Sequence, residues 1–192
     1  MKRLLLSLAF ALITAATFAQ TTPKMELKPF GFASAADSTK NFVVLEVPKL
    51  KQSDLYNKTL TYLNGLYKNP SQVISSVDGE SITVNGYTND VQGTFKFHQY
   101  PFTYNIVFQF KDGKIKYQPR FIKLMEVPET MPAKEIYLKN TDSSKPHEIN
   151  AIFFKSNRDG FYYPLKDSIQ ENLSSWANSY LNEIKKSLSD NW

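Results

Sequence analysis

Residues 102–127 of the 192-residue sequence are FTYNIVFQFKDGKIKYQPRFIKLMEV, and they predict a long antiparallel hairpin. Apolar side chains recur at every second position from Phe102 to Phe110, the period of a strand with one face against a core. Asp112 and Gly113 then supply a two-residue turn, because both residue types tolerate the backbone geometry that such loops require. The returning strand carries polar side chains at the alternate positions Lys114, Lys116, Gln118 and Arg120. The predicted hairpin is therefore apolar on one side and basic and polar on the other.

The first 19 residues have the composition of a secretory signal peptide. A Lys-Arg pair precedes an apolar run over residues 4–13, and Thr17 and Ala19 are small residues where a signal peptidase needs them. The run is shorter than the roughly 20 apolar residues that cross a bilayer. We therefore predict that residues 1–19 are removed, leaving Gln20 as the first residue of a chain exported to the periplasm or beyond, soluble and without a transmembrane segment.

Composition limits the possible partners of the mature chain. It has 21 basic and 18 acidic side chains, a net charge of +3, which favours anionic partners only weakly. A nucleic-acid-binding protein would usually be far more basic, so no nucleic acid is expected. The sequence has no cysteine, so neither a disulfide nor a cysteine-linked lipid can form. The apolar fraction of 42% is enough to build a core.

The N-terminal half of the mature chain predicts short elements. Residues 20–40 are polar, rich in small side chains and without periodicity, so we expect a weakly ordered leader. A strand follows over residues 42–47, and apolar side chains at helical spacing then predict an amphipathic helix capped by Ser53 or Asp54. Further strands are predicted over residues 73–77, 81–84 and 94–98. Between the last two, the pair Asn85-Gly86 is compatible with either a turn or a bulge.

The C-terminal third begins with a passage expected to be loop-rich over residues 128–164. Apolar residues then recur every three or four positions and predict a long helix over residues 165–190. The pattern indicates a single α+β domain over residues 41–192, with two layers: a curved antiparallel sheet, and amphipathic helices on one of its faces. Whether the last helix packs on its own sheet or on a second subunit, and hence the oligomeric state, stays open.

The run NFVVLEVPKLKQSDLYNKTLTYLNGLYKNPSQVISSVDGESITVNGYT, followed by the aromatic hairpin ending in RFIKLMEV, resembles the domain-of-unknown-function family 4468. That family comprises exported proteins of Bacteroidetes-type bacteria with a fold like that of the TATA-box-binding protein (TBP). The resemblance covers residues 41–127 and implies a TBP-like fold. It implies no catalytic residues, because the family has no assigned activity. DNA binding would be an analogy of fold alone, and export argues against it.

Patterns for catalysis and for cofactors are weak. His98 and His147 are far apart and have no spacing typical of metal ligands, so neither a metal nor another cofactor is expected. No nucleophile elbow and no glycine-rich phosphate loop is present. A pair of carboxylates for glycoside hydrolysis could come from Glu46, Asp78, Glu80, Asp90 or Glu126. A carboxylate-based hydrolase of cell-envelope polymers or glycans is therefore the alternative function.

The polar register of the hairpin is the surface with a physical basis for binding. Lys96 and His98 would continue its row of basic side chains, formed by Lys114, Lys116 and Arg120, on the preceding predicted strand. Such a face attracts acidic glycans, lipid headgroups or the acidic patch of an envelope protein. The same charges also serve simply to keep an exposed sheet soluble. We therefore predict a non-enzymatic, exported binding or assembly module for an unknown anionic ligand or envelope protein partner, acting through these five residues of the sheet face or through the long C-terminal helix.

Overall fold

A computed structural model describes residues 22–93, 95, 97–140, 150–156, 160–164 and 166–189, so the predicted signal peptide lies outside the described residues. In chain order the elements are β1 (Met25–Lys28), β2 (Gly31–Ser34), β3 (Val43–Glu46), α1 (Gln52–Leu66), α2 (Pro70–Val73), β4 (Ile74–Val77), β5 (Ser81–Thr88), β6 (Phe102–Lys111), β7 (Lys114–Glu126), β8 (Lys134–Asn140), β9 (Ala151–Lys155), β10 (Tyr162–Pro164) and α3 (Asp167–Ser189).

The predicted hairpin is confirmed as the pair β6–β7, and it organises the main sheet. The described strands follow the order β10-β9-β8-β7-β6-β5-β4, and β3 also pairs with β7. β7 is long enough for two partners on the edge away from β6. β3 pairs with the first residues of β7, and β8 pairs with its last residues. Described neighbours in this sheet are antiparallel except for β8 and β9, which run parallel. β1 and β2 form a separate hairpin.

One face of the sheet builds the core, as the alternating aromatic pattern predicts. Its β6 side chains are all buried: Phe102, Tyr104, Ile106, Phe108 and Phe110. The α1 helix packs Tyr56 edge-on to Phe110, with 5.6 Å between ring centres, and α3 packs Trp176 against Tyr104 at 4.6 Å. The predicted α+β fold, with helices on one face of the sheet, is confirmed. The last helix packs on its own sheet, where the buried Tyr117 hydroxyl donates a hydrogen bond to the Ala177 carbonyl.

The turn between β6 and β7 also begins the first helix. Gly113 adopts a positive φ of 71°, which glycine accepts without steric cost. The Asp112 carboxylate accepts a hydrogen bond from the backbone N–H of Gln52 at 2.9 Å, and so satisfies one of the free donors at the start of α1. The prediction that Ser53 or Asp54 caps this helix is wrong. The capping position is Lys51, which makes no side-chain cap, and the turn of the hairpin supplies the acceptor instead.

The expectation of a weakly ordered leader is wrong for residues 25–34, which form the β1–β2 hairpin. The side chains of Met25 and Leu27 are completely buried. Asn178 of α3 accepts a hydrogen bond from the Met25 N–H at 2.8 Å and donates one to the Met25 carbonyl at 2.9 Å. Ser174 accepts from the Leu27 N–H, and Gln170 donates to the Leu27 carbonyl. Three helical turns of α3 therefore hold the open edge of β1.

Two further expectations are corrected. The passage over residues 128–164 is not loop-rich throughout, because it contributes the strands β8, β9 and β10. The strand predicted over residues 94–98 is absent at its described positions 95, 97 and 98, which form bends and a turn. The pair Asn85-Gly86 is neither a turn nor a bulge, since β5 continues through it with a regular register against β6.

Candidate functional site

The side of the sheet opposite the helices is called the open face below. Helix α1, helix α3 and the N-terminal hairpin pack against the other side, as the contacts of Tyr56, Trp176 and Phe32 with the core aromatics show. The outward-pointing residues of β3, β5, β6 and β7 define the open face: Val44, Glu46, Ser81, Thr83, Asn85, Tyr87, Thr103, Asn105, Val107, Gln109, Lys111, Lys114, Lys116, Gln118 and Arg120.

Three lysines meet where the β6–β7 hairpin turns, a cluster called the hairpin end and formed by Lys111, Lys114 and Lys116. Lys111 and Lys114 are direct cross-strand partners, and Lys116 lies opposite Gln109. Like charges directly opposite each other destabilise a sheet. Glu46 relieves part of this repulsion, because its Oε1 lies 3.3 Å from the Lys114 Nζ. One carboxylate does not balance three lysines. The hairpin end therefore keeps an excess of positive charge.

The two other cations of the hairpin end are not neutralised by an ion pair within the described residues. Neither Lys111 nor Lys116 forms an ion pair with a described carboxylate. The Lys116 Nζ instead lies 4.4 Å above the centre of the Phe42 ring, a cation–π contact that holds its long side chain along the sheet. Both ammonium groups are thus left with hydrogen-bond donors to offer to a ligand.

The hairpin end borders a cavity of about 620 Å³ that opens to solvent. The three lysines line it together with Gln52, Gln109, Val44 and the β6 residue Phe110, whose side chain is buried in the core. Among the described residues that line it, Glu80 is the one carboxylate. Positive charge therefore predominates around a concave surface, which concentrates the electrostatic potential and attracts anions.

Three of the five predicted site residues lie on the open face. Lys114 and Lys116 belong to the hairpin end, and Arg120 is exposed further along β7, opposite Asn105. Lys96 lies outside the described residues. Lys111 was not among the predicted site residues, although the alternation along β6 places it on the same register as Gln109. The signal that could have identified it is the two-residue turn, which sets Lys111 directly opposite Lys114.

The structure places His98 away from the open face, so the prediction that it continues the basic row is wrong. His98 lies in the loop between β5 and β6, and its Nδ1 is 2.9 Å from the Oε1 of Glu126. Glu126 is buried and shares the helix-facing register of Leu124. Tyr100 and Asn150 also donate to the Glu126 carboxylate, at 3.3 and 3.4 Å. His98 therefore fastens the β5–β6 loop to the last residues of β7.

The Glu126 carboxylate is ionised in this setting. Burial on its own would raise the pKa of Glu126. The hydrogen bond from His98, the positive charge of Lys166 and the hydroxyl of Tyr100 outweigh burial and lower the pKa below its ordinary value. A carboxylate held ionised by two hydrogen bonds and a nearby positive charge is suited to anchoring a loop.

The other candidate carboxylates are spread over the sheet. Glu46 and Glu80 lie near the hairpin end, and only Glu80 lines the cavity. Asp78 lies in the turn between β4 and β5. Asp90 follows β5 at the opposite end of the sheet and accepts a hydrogen bond from the Thr88 hydroxyl at 2.8 Å. Within the described ranges, no three His, Asp or Glu side chains come together as a metal site would require. In the same ranges, no helix combines the length and the apolarity needed to cross a membrane.

The fold and the open face define a class: α+β proteins in which helices cover one side of an antiparallel sheet and leave the other side free. Residues 42–123 match the family described as a domain of unknown function (DUF4468) with TBP-like fold. The resemblance found in the sequence is thereby confirmed. No curated protein matches the chain.

Two solved structures share the fold. A DUF4468 family protein from Bacteroides ovatus superposes with a TM-score of 0.50 and 9% identity, covering 78% of this chain and 85% of that one. A TBP-like protein from Parabacteroides distasonis superposes with a TM-score of 0.52 and 10% identity, covering 79% of this chain and 92% of that one. At such low identity the likeness extends to the fold alone.

Proposed function

We propose that this protein is an exported, non-enzymatic binding module whose hairpin end captures an anionic ligand on the open face. The observation that carries the proposal is the direct opposition of Lys111 and Lys114, with Lys116 beside them, around a concave surface. Opposed like charges weaken the isolated protein, and an anion seated between them removes the repulsion. Export rests on the signal peptide predicted over residues 1–19.

The strength of this site limits what it can hold. An exposed ion pair contributes about 0.2–1 kcal/mol, because water screens the charges and two long side chains must be ordered. Two exposed lysines and the half-buried Lys116 therefore bind a small monovalent anion weakly. Anions that carry several charges gain more, because the second and third contacts cost little additional translational freedom. The hairpin end consequently favours polyvalent ligands.

Retention of the mature chain on immobilised heparin, a sulfated polyanion, tests the proposal. The wild type should elute at a higher NaCl concentration than Lys111→Glu/Lys116→Glu, since the substitutions reverse two of the three charges at the hairpin end. A matched control is Lys134→Glu/Lys186→Glu, which changes the net charge equally at two exposed lysines of β8 and α3 that do not line the cavity.

The control separates a defined site from general attraction. The proposal requires Lys134→Glu/Lys186→Glu to elute close to the wild type. If both double variants elute together, retention follows net charge alone and the hairpin end is no binding site. Failure of the wild type to be retained at low salt would also overturn the proposal. Far-ultraviolet circular dichroism on all three proteins checks that each remains folded.

A further inference from the structure

The cations of β7 continue beyond the hairpin end in one straight row. Lys114, Lys116 and Arg120 occupy the same face of a single strand. A strand rises about 3.3–3.4 Å per residue, so successive charges are roughly 7 Å and then roughly 13 Å apart, and the row is roughly 20 Å long. Arg120 forms no ion pair with a described carboxylate. A compact anion at the hairpin end cannot reach it.

Neutral hydrogen-bonding side chains lie on one side of this row, on β6 and, beyond it, on β5, whereas Val44 and Glu46 of β3 lie on its other side. Asn105 of β6 lies opposite Arg120, and its amide donates to the Asn85 side chain of β5 at 2.9 Å. Apart from the apolar Val107, which lies between Thr83 and Gln118, the other open-face positions nearby on β5, β6 and β7 are also hydroxyls or amides: Ser81, Thr83, Thr103, Gln109 and Gln118. Such groups both donate to and accept from ligand hydroxyls. The open face therefore combines a line of cations with a field of partners for hydroxyl groups.

One exposed aromatic ring completes the surface. Tyr87 lies on β5 opposite Thr103 and has 59% of its surface exposed, at the end of the face remote from the hairpin end. A tyrosine ring offers an apolar face and a polar tip, a combination that suits the alternating CH and OH surface of a sugar. A single-stranded nucleic acid would need a succession of aromatic rings for its bases, and the open face has one outward-pointing ring among the residues that define it.

We propose that the ligand is a linear acidic polysaccharide that lies along β7, with its anionic groups on Lys114, Lys116 and Arg120 and its hydroxyls over β5 and β6. This inference rests on the proposed function and adds to it the ligand's chemical class and direction. Its distinctive consequence is that the contribution of Arg120 to affinity depends on the length of the oligomer. A short oligomer fills only the hairpin end, whereas a longer one also reaches Arg120.

Isothermal titration of the mature chain with digalacturonate and with octagalacturonate tests the inference. Arg120→Gln should weaken binding of the octamer by roughly two- to fivefold, the effect of one exposed ion pair, and leave the dimer unaffected. Lys134→Gln, which removes the same charge from β8, should change neither affinity. A longer oligomer also binds more tightly simply because it offers more binding registers. The selective effect of Arg120→Gln on the octamer, and not the increase in affinity from dimer to octamer, therefore shows whether the ligand reaches Arg120.

Each other outcome contradicts the inference in a distinguishable way. If Arg120→Gln leaves the octamer unaffected, the ligand is a compact anion at the hairpin end, and the proposed function survives without the inference. If octa-aspartate binds the wild type more tightly than octagalacturonate does, the partner is an acidic protein segment. If neither oligomer binds but heparin retention depends on Lys111 and Lys116, the uronate polymer is the wrong ligand. If no anion binds, the proposed function fails as well.

Discussion

Gly86 is predicted to be essential to the packing of the sheet on the helices, although it lies in the interior of a strand. A Cβ atom at this position would lie 2.2–2.4 Å from Cζ, Cε2 and the hydroxyl of Tyr104. Carbon atoms in favourable contact are about 3.5–4.0 Å apart, so the overlap exceeds 1 Å. The Tyr104 ring cannot simply retreat, because Trp176 packs against it at 4.6 Å and its hydroxyl is 3.1 Å from that of Tyr67.

We expect Gly86→Ala to destabilise the fold by about 1–3 kcal/mol, the usual cost of overpacking a core. For a chain of this size, that corresponds to a fall in Tm of roughly 2–12 °C. Urea denaturation of the mature chain measures the free energy of unfolding. The matched control is Gly65→Ala in α1, where a Cβ would meet no atom within 4 Å and φ is not positive. It should be stabilising by about 0.5–1 kcal/mol, because alanine favours a helix.

A second variant links the effect to the ring. Tyr104→Leu removes the atoms that the new Cβ would strike, so the cost of Gly86→Ala should shrink markedly in that background, a coupling that a double-mutant cycle measures. If the free energy of unfolding of Gly86→Ala alone is within about 0.5 kcal/mol of the wild-type value, Tyr104 does not lie over Gly86 and this packing is wrong.

Three further predictions concern single contacts. Asn178→Ala removes both side-chain hydrogen bonds to Met25 and should cost about 1–3 kcal/mol in urea denaturation, with faster hydrogen exchange at the Met25 amide. Asp112→Ala removes the acceptor at the start of α1 and should cost about 0.5–2 kcal/mol in the same assay. Glu126→Gln should be less stable than the wild type at neutral pH, and the difference should shrink as the pH falls below 4.5. The reason is that the pKa of Glu126 is lower in the folded than in the unfolded state. Its ionised carboxylate therefore stabilises the fold above the unfolded-state pKa, and this stabilisation is lost as the pH falls through the folded-state pKa.

Matched substitutions make each of these predictions specific. Ser175→Ala changes an exposed position of α3 beside Ser174 and should leave stability within about 0.5 kcal/mol of the wild type. Ser53→Ala tests the residue that the sequence suggested as a cap and should be equally mild. A pH profile of Glu126→Gln that runs parallel to that of the wild type would show that Glu126 is not held ionised by His98, Lys166 and Tyr100.

The sequence predicts the parts of this fold whose determinants are local. Alternation from Phe102 to Phe110, the Asp112-Gly113 turn and the spacing of apolar residues in the two long helices each depend on neighbours within a few positions. The N-terminal hairpin was missed because the groups that hold Met25 and Leu27 are about 150 positions away, on α3. The polar side chains of α3 that bind β1 have the same composition as an ordinary solvent-exposed helix face, so the sequence does not distinguish the two.

The candidate site shows the same division. The register of β7 was sufficient to place Lys114, Lys116 and Arg120 on one face, because side chains alternate along any regular strand. The position of His98 does not follow from alternation, because the chain bends there and the contact with Glu126, 28 positions away, has no local signature. The cavity at the hairpin end requires Val44, Gln52 and Glu80 from three separate segments, so no pattern within one segment could reveal it.

Chemical-shift mapping of ¹⁵N-labelled residues 20–192, titrated with a heparin octasaccharide, would show whether the anion binds at the hairpin end. We expect the largest amide shifts at Lys111, Lys114, Lys116 and their neighbours in β3, and only small shifts in α1 and α3. Lys111→Glu/Lys116→Glu should abolish those shifts at the same ligand concentration. Shifts centred on the helices, or a pattern that survives the double substitution, would contradict the account and place the anion elsewhere on the molecule.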